Sequence, residues 1–293
     1  MPPTPQGAPV VPDSISRFIT VDGLRIHYRE LDGPDEAIPA IFTHGGGPGS
    51  TGWNNFRLSA TAVSARRRCY FLDFPQFGES DMVPIAGPVF SWQADKLRHF
   101  MDALGVDKAH LINQSFGGCV AIRLAADYPE RVASLALIGS QPVERGVMSP
   151  LPLFSKHARN IMNDYFVADG GPSLDKMRAL IARLEYHDDE RVTEDNVRLR
   201  YEASIQPGFQ ALLQTPGAFG EWENLAPVFP KVVAPTLIFW GLHDWFGGID
   251  VPMLMLNQFA DARLHVMGKA AHHLQSECSD EFNAHLLAFL EGL

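Results

Sequence analysis

Short β-branched and aromatic runs alternate along this chain with longer stretches whose apolar residues recur at helical spacing, a pattern that specifies βαβ units and a mostly parallel sheet. Residues 16–21 and 24–30, split by Asp22-Gly23, read as an opening hairpin with a two-residue turn. Buried strands are predicted at 37–43, 68–73, 109–113, 133–138, 236–240 and 263–267, and helices over 91–104, 116–128 and 280–290. The rhythm breaks between 141 and 227, where no strand pattern is visible. There Met162, Tyr165, Met177, Leu180, Ile181 and Leu184 recur near helical spacing and prolines punctuate. Because the strand pattern resumes at 234, this interval reads as an inserted helical cap; an all-helical half of one domain is the competing reading. The expected division is an N-terminal arm at 1–14, an α/β core built from 15–140 and 226–293, and a cap or lid at 141–225.

Composition narrows the class. At 293 residues, with 46% hydrophobic and 20% charged positions, the chain can bury roughly three quarters of its unfolded surface, so no disulfide or structural metal is needed. No apolar run approaches the ~18 residues of a membrane span. The net charge of −10 repels phosphate backbones and argues against a nucleic-acid partner. An anionic small substrate would need a local cation inside the pocket. Cys69, Cys119 and Cys278 are scattered without a Cys-x-x-Cys spacing and read as reduced thiols, which with the absence of a secretion-type N-terminus suggests a cytoplasmic protein.

Candidate chemistry begins at Asn113-Gln114-Ser115-Phe116-Gly117-Gly118, where a strand hands over to a helix. A serine on so sharp a turn stands above the sheet edge as a nucleophile elbow, and the glycines suit the crowded strand–helix crossing. By itself the segment is equally an N-cap serine at a helix start. Partners change the balance, since a serine hydroxyl needs an adjacent base and a carboxylate to orient that base. Asp244 follows the strand at 236–240 and His272 follows the strand at 263–267, in the chain order Ser, acid, His, all at the C-terminal edge of a parallel sheet. A third element, His44-Gly45-Gly46-Gly47-Pro48-Gly49, would turn backbone N–H groups into the site and, with the N–H of Phe116, form an oxyanion hole. Gly47-x-Gly49-x-x-Gly52 followed by Asp73 imitates a dinucleotide fingerprint, but Pro48 removes a donor from the loop. A metal held by His44, His243, His272 and His273 is disfavoured by ligand spacing; His44 and His243 read as bonding loop backbones. No cofactor and no metal are expected.

With these residues in place the chain resembles an α/β-hydrolase, and more narrowly the meta-cleavage product hydrolases, the C–C bond hydrolases of bacterial aromatic-ring degradation. The resemblance rests on His44-Gly-Gly-Gly-Pro-Gly with Gly52-Trp53-Asn54-Asn55-Phe56, on the segments 101–111 and 261–266, and on Arg200-Tyr201-Glu202-Ala203 and Trp222 in the cap. It implies an α/β-hydrolase fold with a mostly parallel eight-stranded sheet, helices on both faces and an inserted cap. It further implies a Ser115–Asp244–His272 triad and an oxyanion hole from Gly46 and Phe116. Substrate contacts would come from Gly45, Asn55, Gln114, Arg200, Trp222 and His273, with Arg200 as the cation for a small anionic dienoate, and the assembly would be a homodimer or higher homo-oligomer. Hydrolysis would split a 2-hydroxy-6-oxo-hexa-2,4-dienoate after His272-assisted ketonisation. Asn113, Gln114, Gln76 and His273 depart from the family's pattern, Gln114 and His273 close to the chemistry. An esterase or proline iminopeptidase-like enzyme would share the triad, the latter using cap carboxylates among Glu185, Asp188, Asp189 and Glu202. A non-catalytic ligand-binding protein of the same fold is the alternative of another class.

Overall fold

Asp22 and Gly23 both take positive φ, 51° and 80°, which gives the turn a twist matched to a hairpin. It joins β1 (Ser16–Val21) to β2 (Leu24–Leu31) with Val21 opposite Leu24. The computed structural model describes residues 16–143 and 156–293, so the expected arm lies outside the described residues. β3 (Ala40–Thr43), α1 (Gly52–Ser64), β4 (Cys69–Leu72), β5 (Ile85–Pro88), α2 (Val89–Ala103), β6 (Ala109–Gln114), α3 (Phe116–Asp127) and β7 (Val132–Ile138) come next along the chain. Then come α4 (Lys156–Phe166), α5 (Leu174–Leu180), α6 (Glu194–Ser204), α7 (Pro207–Leu213) and β8 (Phe219–Glu221). β9 (Thr236–Gly241), α8 (Asp250–Gln258), β10 (Ala262–Met267), α9 (Leu274–Glu277) and α10 (Ser279–Glu291) complete the order.

Eight strands form one sheet in the order β1-β2-β4-β3-β6-β7-β9-β10. Only β1/β2 and β2/β4 pair antiparallel; from β4 to β10 every pairing is parallel. Parallel strands are covered on both faces, which is why their sequences read as continuous apolar runs. One face packs under α2, α3 and α8 through Leu97, Val120, Leu124 and Met255. The other packs under α1 and α10 through Phe56, Val63, Phe282 and Leu286. A third cluster, Ala158, Tyr165, Met177, Leu180, Ile181, Leu184 and Val197, belongs to the helices between β7 and β9, and Phe246 packs against it.

One expectation needs correction, and one helix went unpredicted. The interval 141–227 is not strand-free: β8 lies inside it and pairs with β5, Ile85 opposite Phe219. A strand of three residues is too short to show a period of two. α1 also escaped the pattern, because its start is buried in the glycine run; Thr51 Oγ1 accepts from Asn54 N at 3.1 Å and Asn54 Oδ1 accepts from Thr51 N at 2.9 Å, a capping box written in polar residues. Among the described residues no helix is long and apolar enough to cross a membrane.

Candidate active site

Ser115 sits between β6 and α3 at φ 49°, ψ −111°, a backbone state that costs a non-glycine residue about 1–3 kcal/mol. Three contacts hold it there. Ser115 N donates to Ile138 O on β7 at 2.7 Å, Gly117 N donates to His44 O at 3.1 Å, and Gly118 N donates to Ser115 O at 3.0 Å. A Cβ on Gly117 would come within 2.4 Å of Thr43 Oγ1, and one on Gly118 within 1.8 Å of Ser140 Oγ, so the crossing admits glycine alone. Asn113, at a position where the elbow pattern has glycine, is fully buried and accepts from Thr43 Oγ1 at 2.7 Å while donating to Ala136 O at 3.3 Å. The departure thus ties β3, β6 and β7 together.

Asp244 and His272 arrive from the ends of β9 and β10. His272 Nδ1 donates to Asp244 Oδ2 at 2.8 Å, the other Asp244 oxygen accepts from Phe246 N at 2.8 Å, and the Asp244 side chain is wholly buried. A proton fixed on Nδ1 leaves Nε2 as the basic nitrogen. His272 and Ser115 line the same cavity, although no hydrogen bond joins Ser115 Oγ to the ring; in unliganded sites such bonds often tighten only with substrate. Gly139, at φ +55°, lies under the pair, where a Cβ would come within 2.9 Å of His272 Nδ1 and 3.1 Å of Asp244 Oδ2. Gly139→Ala is therefore expected to displace His272 and slow fluorophosphonate labelling of Ser115 by roughly 10- to 100-fold, with a cooperative thermal transition retained. Unchanged labelling would uncouple the His272–Asp244 pair from Ser115.

The glycine loop after β3 supplies Gly46 to the cavity, facing Phe116, the first residue of α3. The N–H of a first helical residue has no intrahelical acceptor, so it is free for a ligand oxygen. His44 anchors the loop, with Nδ1 donating to Gly45 O at 2.8 Å and Nε2 accepting from Phe74 N at 3.0 Å. Its burial holds the imidazole below its ordinary pKa, hence neutral. Asn55 does not line the cavity. Its Oδ1 accepts from Gly45 N at 3.1 Å, so it positions the loop. Gly45 is likewise behind the wall, against Gln114. Asp73, the acid of the imitation dinucleotide fingerprint, is spent internally: Oδ1 accepts from Gly52 N at 2.9 Å and Oδ2 from His27 Nδ1 at 2.8 Å.

The cavity is lined by Gly46, Gln114, Ser115, Phe116, His272 and His273, and further by Gly47, Cys119, Gln141, Met162, Glu185, Trp222 and Phe246. Met162 and Trp222 line it from the segment between β7 and β9, whereas Phe219 packs on Phe209 with ring centroids 6.0 Å apart. Arg200 requires correction. It is 1% exposed and is not a lining residue; its guanidinium donates to both Glu185 oxygens at 2.8 and 2.9 Å and to Pro48 O at 2.8 Å. A short π-helical turn, Ile181–Glu185, delivers the Glu185 carboxylate to the cavity in front of it. Burial by itself would raise Glu185, but the Arg200 charge and the Arg200 bonds outweigh it and hold the carboxyl at about 2. His273 is pushed down to about 3, by burial first, against the pull of Glu185. This side of the cavity thus carries a neutralised ion pair and a neutral imidazole. Asp188, Asp189 and Glu202 do not line it.

Sequence reasoning missed Cys119, Gln141 and Phe246. Gln141 and Phe246 each lie just past the C-terminal end of a parallel strand, and that position was the available signal. His243 stacks on His187 with ring centroids 3.8 Å apart. The four histidines considered as metal ligands do not group; among the described residues His265, Glu281 and His285 do, on β10 and α10 and apart from the cavity.

Residues 39–277 match the profile of a family described as alpha/beta hydrolase fold. The chain is 33% identical over 271 residues to a 2-hydroxy-6-oxo-6-phenylhexa-2,4-dienoate hydrolase of Comamonas testosteroni, covering 90% of this chain and 91% of the relative. It is 31% identical to a 2-hydroxy-6-oxononadienedioate/2-hydroxy-6-oxononatrienedioate hydrolase of a Pseudomonas species, with the same coverage of 90% and 91%. Among solved structures it is similar to a meta-cleavage product hydrolase from Pseudomonas fluorescens IP01, with a TM-score of 0.78 and 28% identity over 95% of this chain and 98% of that one.

Proposed function

This chain belongs to the alpha/beta-hydrolase fold family and, within it, to the meta-cleavage product hydrolases, and from that membership we propose that it hydrolyses a C–C bond of a 2-hydroxy-6-oxo-hexa-2,4-dienoate in aromatic-compound catabolism. The observation that carries the proposal is the His272–Asp244 bond of 2.8 Å opening on the same cavity as Ser115. His272, its proton held on Nδ1 by Asp244, assists ketonisation of the dienol. It then takes the Ser115 proton as Oγ adds to the C6 carbonyl. The N–H groups of Gly46 and Phe116 hold the oxyanion. Collapse breaks the bond between C5 and C6, the electron pair passes along the fragment to its C2 oxygen as a dienolate, and that oxygen takes the His272 proton. Water activated by His272 releases the acid from Ser115.

Residues 141–225 act as a lid over the core formed by 15–140 and 226–293. With Arg200 bound to Glu185, the dienoate carboxylate is received by the Gly47 N–H, the Gln114 amide and His273, while the Glu185–Arg200 pair keeps that end of the site electrically neutral. The working form is a homodimer in the cytoplasm. An aminopeptidase would offer a free carboxylate to a substrate ammonium, and Glu185, the acid that reaches the cavity, has both oxygens bound to Arg200.

The decisive assay mixes the protein with 2-hydroxy-6-oxo-6-phenylhexa-2,4-dienoate. Loss of the dienoate absorbance with release of benzoate is expected. Persistence of the colour while a simple aryl ester is hydrolysed fast would assign the same triad to an esterase.

A further inference from the structure

The two halves of the cavity lie over different strands. In the sheet β6 runs between β3 and β7, so Ser115, at the end of β6, separates the loop after β3 from the segment after β7. Gly46 and Gly47 belong to the loop after β3, and Glu185 and His273 meet them on that side, where a Cβ on Gly47 would lie 3.2 Å from Glu185 Oε1. Over β7 stands Gln141, three residues past Ile138, with Phe246 reaching in from the segment after β9 and Cys119 from α3.

Gln141 is the anomaly of that second half. It is 5% exposed, yet neither its Nε2 nor its Oε1 has a hydrogen-bond partner, although it lines the cavity. A buried donor or acceptor left unpaired costs about 1–3 kcal/mol. The side chains that line the cavity with it include Cys119, Met162, Trp222 and Phe246, which are apolar over most of their surface. The backbone also makes room for it. A Cβ on Gly247 would fall 2.2 Å from Oε1 and 2.6 Å from Nε2 of Gln141, so the amide rests directly on that glycine.

We propose that the half of the cavity over β7 is a hydrogen-bonding subsite in which the Gln141 amide selects substrates whose C6 substituent ends in a carboxylate or another oxygen-bearing group. The inference rests on the reading of the site as a dienoate hydrolase, which places C6 at Ser115 and the dienoate end over β3. Adjacent strands are about 4.8 Å apart, so the substituent spans one strand spacing, the reach of a short chain rather than of a group attached directly to C6. The amide donates to the terminal oxygens, and the apolar neighbours enclose the chain that carries them.

The test compares kcat/KM for 2-hydroxy-6-oxonona-2,4-diene-1,9-dioate and for its 6-phenyl counterpart in the wild type, in Gln141→Leu and in Gly247→Ala. The wild type is expected to favour the dioate. Each substitution should shift the ratio toward the phenyl substrate by at least ~10-fold, the size of a buried hydrogen bond to a charged group. A shift smaller than tenfold in Gln141→Leu overturns the proposal. If that variant does not fold, Gly247→Ala decides by the same criterion, since the atoms nearest its new methyl are those of the Gln141 amide. If the wild type cleaves neither dienoate, the C–C reading fails, and the ratio is read instead on aryl esters of succinate and pentanoate, whose acyl chains enter the same half of the cavity.

Discussion

Ser115→Ala is expected to lower kcat for the dienoate by at least ~10⁴-fold while leaving the unfolding temperature nearly unchanged. The two halves of that expectation have separate physical origins. Alanine keeps the Cβ, so the strain at φ 49° and the bond from Ser115 N to Ile138 O of 2.7 Å persist, and only the nucleophilic oxygen is lost. The proposed oxyanion donors and the pocket survive, and with them a residual rate above that of water. Asp244→Asn is expected to reach a similar loss by another route. A carboxamide facing Nδ1 with its NH₂ would favour the tautomer protonated on Nε2, which removes the base without moving the ring. Stopped-flow decay of the dienoate absorbance measures both variants. A Ser115→Ala enzyme within tenfold of the wild type would mean that water, rather than Oγ, attacks C6.

Arg200→Met is expected to destabilise the fold by about 3–5 kcal/mol, because it leaves the buried Glu185 carboxylate without its bidentate partner. For a chain of this size that corresponds to roughly 10 °C in the unfolding temperature. The pH dependence should change sign with the substitution. In the wild type Arg200 holds Glu185 down to about 2, so the pair stabilises the fold above the ordinary carboxylate range and that contribution is lost as pH falls toward 2. In Arg200→Met burial prevails and the folded-state pKa rises above the unfolded one. The folded state then binds the extra proton, and stability falls as pH rises through the weakly acidic range. The double variant Glu185→Leu/Arg200→Met removes both charges and is expected to recover most of the loss. Denaturant unfolding between pH 4 and 8 separates the three proteins; equal pH slopes in wild type and Arg200→Met would refute the assignment. Activity toward the dienoate should fall in Arg200→Met as well, since an uncompensated carboxylate would then face an anionic substrate.

Several features were legible because their causes are local. The opening hairpin arises from Asp22-Gly23, whose residues are suited to positive φ. β6, β7 and β9 arise from apolar runs that need cover on both faces, and β6 with α3 brackets Ser115 at the boundary the sequence indicated. Asp244 and His272 were visible as acid and base in chain order at strand ends. By contrast, α1 was hidden because its capping box lies inside a glycine run. β5 and β8 were hidden because each needs the other, with Ile85 meeting the distant Phe219, before it is a strand at all.

The amino-acid sequence by itself determined the doubly wound sheet, the interruption between β7 and β9, and the strand ends that Ser115, Asp244 and His272 follow. Period, turn chemistry and strand-end position are properties of neighbours in the chain. Only the tertiary structure decided which polar groups face the substrate. Glu185 and Arg200 compensate one another across a helix turn and a glycine loop, with Pro48 O as the third partner, which converts an expected substrate cation into a buried structural one. Gln141 stays unpaired because Gly247 gives it space and its largely apolar neighbours give it no partner. Whether a buried charge or amide is free or satisfied depends on side chains that meet only after the chain has folded.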